Sequence, residues 1–193
     1  MHHIYHTEGI ILGSRSYGET GKYYHIFTKD LGMIRASAQG VRKMSSKLRF
    51  VLQDFSYIKI DLVRGRDFWR VTSASKTNKL ENIKNNILKR EIMANLAVLI
   101  KRLLSGEESN EILFQDVLLG LYLIEEKNLK EDIKNTEAIL VLRMLYHLGY
   151  VALNDSITEL IKSEFDYSLL LKAEGKRKEI LKEINKALKE TNL

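Results

Sequence analysis

Two residue types are missing outright from this 193-residue chain, cysteine and proline. Without cysteine there can be no disulfide and no thiolate-held zinc. Without proline the usual marks of loops and helix starts are gone, so boundaries must be read from glycines, caps and changes of period. Long apolar runs are lacking too. Stretches such as Leu96 to Ile100 are far too short to cross a bilayer. The opening Met1-His2-His3-Ile4-Tyr5-His6 has neither the basic start nor the apolar stretch of a secretory leader. The expectation is a cytoplasmic protein with no membrane segment.

What is present is an uneven charge. The chain carries +6 overall, yet residues 1–79 hold 14 Lys and Arg against 6 Asp and Glu, while the remainder holds 17 against 19. All the excess positive charge therefore lies in the first two-fifths, which predicts that this part meets a polyanion and the rest does not.

The basic part reads as strands. Gly9 to Gly13 is a short apolar run ended by Ser14-Arg15-Ser16-Tyr17-Gly18, and Lys22 to Thr28 mixes β-branched and aromatic residues before the turn Lys29-Asp30-Leu31-Gly32. Met33 to Gln39 alternates large and small, Phe55 to Val63 alternates almost strictly, and Phe68 to Thr72 supplies a fifth strand. Five short strands in under 80 residues fit a small closed barrel of the OB type better than a sandwich. From Asn78 the period lengthens to about 3.6. Helical stripes run through Leu88 to Leu103, Phe114 to Tyr122, Ile139 to Leu148 and Ile180 to Leu188, and the capping-box pattern Ser156-Ile157-Thr158-Glu159 predicts another helix start. Gly106 and Gly149 stand where left-handed helix ends are expected. The predicted class is α+β: an OB-fold barrel over residues 1–78, then an all-helical domain over 79–193.

The strongest chemical feature is the segment from Gln39 to Arg49, with four cations, two serines and no acid. Phosphodiesters favour mobile cations combined with hydroxyl or backbone donors, so Arg42, Lys43, Lys47 and Arg49 are candidate phosphate contacts. Arg35, Arg64, Arg66 and Arg70 add charge around the same barrel. Tyr17, Tyr23, Tyr24, Tyr57 and Trp69 offer faces for base stacking. Gly18-Glu19-Thr20-Gly21-Lys22 imitates a phosphate-binding P-loop but has Ser16 and Tyr23 where a glycine and a metal-binding hydroxyl belong, so it reads as a turn. A KH-type Gly-x-x-Gly loop fails likewise, since that loop joins two helices. His2, His3 and His6 lack a nearby carboxylate cluster and read as exposed rather than metal-binding, while His25 and His147 read as structural. No catalytic constellation emerges, and neither metal nor cofactor is expected. On the helical side, Lys101, Arg102 and Arg143 lie beside apolar stripes, a mixture suited to an acidic, hydrophobic peptide.

Gly18-Glu19, Phe27-Thr28, Gly32, Ala38-Gln39-Gly40-Val41-Arg42, Ser46-Lys47-Leu48-Arg49 and Phe55 stand in the order and spacing of the RecO family, which the chain resembles over roughly residues 8–75. Leu142-Arg143-Met144-Leu145-Tyr146-His147-Leu148-Gly149-Tyr150 is similar to the helix preceding that family's zinc-binding insertion. The resemblance implies a non-enzymatic bacterial DNA-repair and recombination mediator, nucleoid-associated, that binds single- and double-stranded DNA and anneals complementary strands. It also implies work with RecR to load RecA onto DNA covered by single-strand-binding protein, whose acidic C-terminal tail the helical domain receives. The DNA-binding positions it points to are Arg35, Arg42, Lys43, Lys47 and Arg49. Two departures stand out. Val151-Ala152-Leu153-Asn154-Asp155 runs into the next helix where many members carry four cysteines, and the final Lys/Glu-rich helix differs from the family's basic C-terminus.

Two rival functions stay open: a generic OB-fold binder of single-stranded nucleic acid, and an adaptor whose helices bind proteins.

Overall fold

The computed structural model of the chain describes residues 3–104 and 106–190, so His2 lies outside the described residues. Five strands, β1 (Ile4–Tyr17), β2 (Gly21–Thr28), β3 (Gly32–Ala38), β4 (Tyr57–Arg64) and β5 (Trp69–Lys76), close into a barrel in the order β1-β2-β3-β5-β4. All neighbours are antiparallel except β3 and β5, which run parallel and pair at Ala36–Trp69 and Ser37–Arg70. This is the predicted OB-type barrel.

The first strand is much longer than the apolar run suggested. It does not end at Ser14, because a bulge between Ile11 and Gly13 re-registers it against β2 and pairing continues to Tyr17–Gly21. Its first half pairs with β4 from Ile4–Val63 to Ile10–Tyr57, so one strand serves both edges. Alternation then decides which side chains fill the interior. Ile11, Tyr24, Ile26, Ile34, Ala36, Ile58, Ile60, Leu62 and Trp69 are all buried in a single core. A short helix α1 (Leu48–Val51) between β3 and β4 packs Leu48 and Val51 against that core, with Leu52 buried in it. The fifth strand begins at Trp69, leaving Phe68 in the β4–β5 turn.

Gly32 shows why a glycine was needed at the β2–β3 turn. Its φ is +65°, and a Cβ there would stand 2.2 Å from the carbonyl oxygen of Glu108. Residues Ala97–Glu111 thus form one compact unit with Met1–Glu81, while Asn82–Leu96 and Ile112–Leu193 form the second.

The second unit is helical. It holds the first part of α2 (Ile87–Leu103), then α3 (Glu111–Glu126), α4 (Lys130–His147), α5 (Thr158–Lys162), α6 (Tyr167–Ala173) and α7 (Arg177–Glu190). Helix α4 is its axis. Ile133, Ala138, Ile139, Leu140, Leu142, Met144 and Leu145 are buried on it, and α5, α6 and α7 pack around it. Gly120 lets α3 approach closely, since a Cβ there would lie 2.8 Å from a Leu140 methyl. Helix α4 ends in a Schellman turn: Gly149 at φ +79° donates to the Tyr146 carbonyl and Tyr150 to that of Leu145, at 2.9 and 2.8 Å. The capping box does not form at α5. Asn154 takes over, its side-chain oxygen accepting from the backbone N–H groups of Ser156 and Ile157 at 3.1 and 3.2 Å. No helix among the described residues is long and apolar enough to cross a membrane.

Candidate nucleic-acid interface

Because side chains alternate along a strand, the residues between core positions form the barrel's outer face. Register places them in transverse rows. Arg15 lies opposite Tyr23 and Tyr23 opposite Ser37; one step on, Gly13 lies opposite His25 and His25 opposite Arg35. The turns at either side, residues 18–20 and 65–68, contribute the flanks. Tyr17, 53 % exposed, leans on Tyr23 with ring centroids 4.4 Å apart, and Tyr23 meets Phe68 at 4.8 Å. The Arg35 guanidinium lies over the Phe68 ring, 5.3 Å from its centroid. Three partly open rings and a guanidinium therefore make a continuous platform across β1, β2, β3 and the β4–β5 turn. In OB folds, oligonucleotides lie on the β2–β3 face between these same two turns.

The basic segment borders the platform. The backbone N–H of Arg42 donates to the Thr20 carbonyl at 2.9 Å and its guanidinium to the Gly18 carbonyl at 3.3 Å, which ties the segment to the β1–β2 turn. Successive turns follow, Lys43 N–H to the Gly40 carbonyl and Ser46 N–H to the Lys43 carbonyl, both 3.0 Å, before α1 begins. The segment is thus a chain of turns ending in a helix. Arg49 donates to the Met44 sulfur at 2.9 Å and stacks on Phe50 at 4.6 Å, while Met44 and Phe50 themselves stand 82 % and 57 % exposed. Arg15, Arg35, Arg42, Lys43, Lys47, Arg49, Arg66 and Arg70 are in no ion pair among the described residues. Unpaired cations are the ones available to replace counterions on a phosphate backbone.

Other sequence candidates fall elsewhere. Arg64 is exposed but pairs with Glu107 and covers Trp69, so its charge is already partnered. Tyr24, Tyr57 and Trp69 are buried at 0, 5 and 4 % exposure and serve the core rather than stacking. Lys101 and Arg102 are exposed at the end of α2, in residues that belong to the barrel unit. Arg143 is buried in the helical unit. Its Nε lies 2.9 Å from an Asp116 carboxylate oxygen that His147 also meets at 2.7 Å, and Nη2 donates to the Ser163 carbonyl. Lys101 and Arg102 thus belong to one compact unit and Arg143 to the other. Phe68 and Arg15 were overlooked. Phe68 is hidden in the sequence because it reads as strand, and Arg15 because β1 reads as ending before it.

The helical unit has its own cationic, apolar groove. Ala138 and Val141 of α4 face Leu181 and Ile184 of α7 around a recess of about 190 Å³, with Lys134 and Arg177 on its rim. Glu137 also lines it, and burial raises its carboxyl above the ordinary range against the opposing pull of Lys134 and Arg177. Among the described residues no group of three His, Cys, Asp or Glu is placed to hold a metal ion.

Residues 1–79 match the family model described as "Recombination protein O N terminal". Over this segment the chain is similar to the RecO family. It is 31 % identical over 155 residues to the DNA repair protein RecO of Alkaliphilus metalliredigens, covering 80 % of this chain and 61 % of that protein. The RecO of Heliobacterium modesticaldum is 29 % identical over 147 residues, 76 % of this chain and 52 % of its own length. That of Dehalococcoides mccartyi is 33 % identical over 120 residues, 62 % and 47 % of the respective chains. The chain thus spans less than two thirds of the length of these RecO proteins.

Proposed function

We propose that this chain is a RecO-like DNA-repair and recombination mediator that works by binding, with no chemical step of its own. The barrel holds single- and double-stranded DNA by its outer face. Its phosphates meet the cations of Arg35, Arg42, Lys43, Lys47, Arg49 and Arg66, and unpaired bases stack on Tyr17, Tyr23 and Phe68. The observation that carries this reading is the coincidence of a solvent-open aromatic platform with unpaired cations on the face that OB folds use for oligonucleotides. Screening two backbones at once lets the protein anneal complementary strands. With RecR, it helps load RecA onto DNA covered by single-strand-binding protein. The groove between α4 and α7 suits the acidic, apolar C-terminal tail of that protein, because Lys134 and Arg177 flank an apolar floor.

Annealing of complementary strands precoated with single-strand-binding protein tests the whole reading. Acceleration by this protein in the absence of any nucleotide is expected. Binding without acceleration would leave a generic OB-fold binder, and absence of DNA binding would leave a protein adaptor.

A further inference from the structure

Beside the stacking platform lies a recess of about 300 Å³ lined by His25, Met33, Arg35, Asp67, Lys101, Leu104, Gly106 and Glu107. All of these residues belong to the barrel unit. The β1 bulge lies next to it. Gly13, at φ +147°, stands opposite His25 without a side chain, and a Cβ added there would lie 3.8 Å from the Lys101 ammonium nitrogen. His25 and Arg35, paired across β2 and β3, line the recess with one imidazole and one guanidinium, and Lys101 of α2 lines it too.

We propose that this recess is a phosphate subsite, in which Arg35 and Lys101 bind the backbone phosphodiester next to a base stacked on Tyr23 and Phe68 while His25 donates an imidazole N–H. It rests on the reading that the barrel face binds DNA, and it moves Lys101 from the partner surface to the DNA site. Arg35 and Lys101 are in no ion pair among the described residues, so neither charge is neutralised within the protein. Two carboxylates share the recess: Arg64 engages Glu107, and Asp67 is in no ion pair among the described residues. Arg35 also belongs to the platform through Phe68, so a phosphate on Arg35 sits one step from the stacked rings.

The site carries a pH signature. Desolvation, helped by Lys101 and Arg35, holds the His25 imidazole below its ordinary value. Asp67 and Glu107 are the acids that line the same recess, and the direction for His25 is down. A bound phosphodiester offsets the two cations and raises the imidazole again. Between the free and bound values, binding takes up a proton, and affinity rises as pH falls.

The test uses the full chain and a fluorescein-labelled oligothymidine, with affinity measured against salt at pH 7.5 and 5.5 and the His25 imidazole signal titrated by NMR. Lys101→Gln should flatten the log–log salt slope by about 0.7, the share of one single-strand phosphate. His25→Gln should abolish the extra gain in affinity at the lower pH, and the wild-type imidazole should titrate higher with oligonucleotide than without. Wild-type binding with salt slope and pH dependence untouched by both variants would overturn the subsite while leaving the platform standing. No binding by wild type at all would overturn the DNA reading itself. Imidazole signals that move with inorganic phosphate but not with oligonucleotide would overturn the subsite in favour of a free-phosphate site.

Discussion

Removing the central ring of the platform separates stacking from charge. Tyr23 touches both Tyr17 and Phe68, at 4.4 and 4.8 Å, so Tyr23→Ala breaks the surface in two where Tyr17→Ala would only shorten it. Stacking of a base on an aromatic side chain contributes about 1–3 kcal/mol. Tyr23→Ala should therefore raise Kd for an oligothymidine by about 5- to 150-fold. Tyr23→Phe should bind as wild type, because a base meets the face of the ring and not its hydroxyl. Folding should survive, since cross-strand pairs such as Tyr23–Ser37 contribute about 0.2–1 kcal/mol. The salt slope gives the discriminating readout. Tyr23→Ala removes no charge and should leave the slope unchanged, whereas Arg35→Ala should flatten it by about 0.7. Fluorescence anisotropy across a salt series measures both quantities in one experiment. A folded Tyr23→Ala protein with wild-type Kd would refute the stacking platform.

Three further outcomes follow from named contacts. Replacing Arg42, Lys43, Lys47 and Arg49 together by Ala should flatten the salt slope by up to ~3 if each meets a phosphate, and an unchanged slope in the folded variant would place DNA elsewhere. Asp116→Ala leaves Arg143 buried without its carboxylate, so denaturant unfolding should show the helical unit weakened by about 3–5 kcal/mol, and a loss under 1 kcal/mol would contradict a buried ionic cluster. Gly32→Ala forces a side chain into a left-handed turn and against the Glu108 carbonyl, so thermal melting should register a loss of at least about 1–3 kcal/mol, and an unchanged melting temperature would refute the close approach.

The barrel was legible because period-two alternation is nearly strict in Phe55 to Val63 and strong in Met33 to Gln39, and burial follows it along β3 and from Ile58 to Leu62 of β4. The end of β1 was not, because Ser14-Arg15-Ser16 imitates a turn. Only pairing with β2 across a bulge shows that the polar residues alternate between rim and outer face. The basic segment was visible as composition, yet its anchoring on Gly18 and Thr20 depends on contacts more than twenty residues apart. Cations beside apolar stripes are a pattern that Lys134 shares with the residues named from the sequence. As basic residues flanked by apolar ones Arg143 and Lys134 look alike, but nine residues separate them, so Arg143 turns inward to Asp116 while Lys134 stands at the groove. Likewise the five aromatics looked equivalent along the chain, and strand parity alone sorts Tyr23 to the outside and Tyr24 to the core.

The closure of the barrel is uneven. Strand β3 is held to β2 by seven register pairs but to β5 by two, Ala36–Trp69 and Ser37–Arg70, with a side-chain bond from Ser37 to the Trp69 carbonyl at 3.3 Å. A short parallel seam is the cheapest place for a closed sheet to unzip, and here it runs along the strand that carries Arg35. Amide hydrogen exchange should accordingly be faster at this latch than along the β1–β2 and β2–β3 ladders. Since Phe68, next to the latch, leans on both Tyr23 and Arg35, a strand of DNA lying across those side chains would brace the latch from outside and slow its breathing.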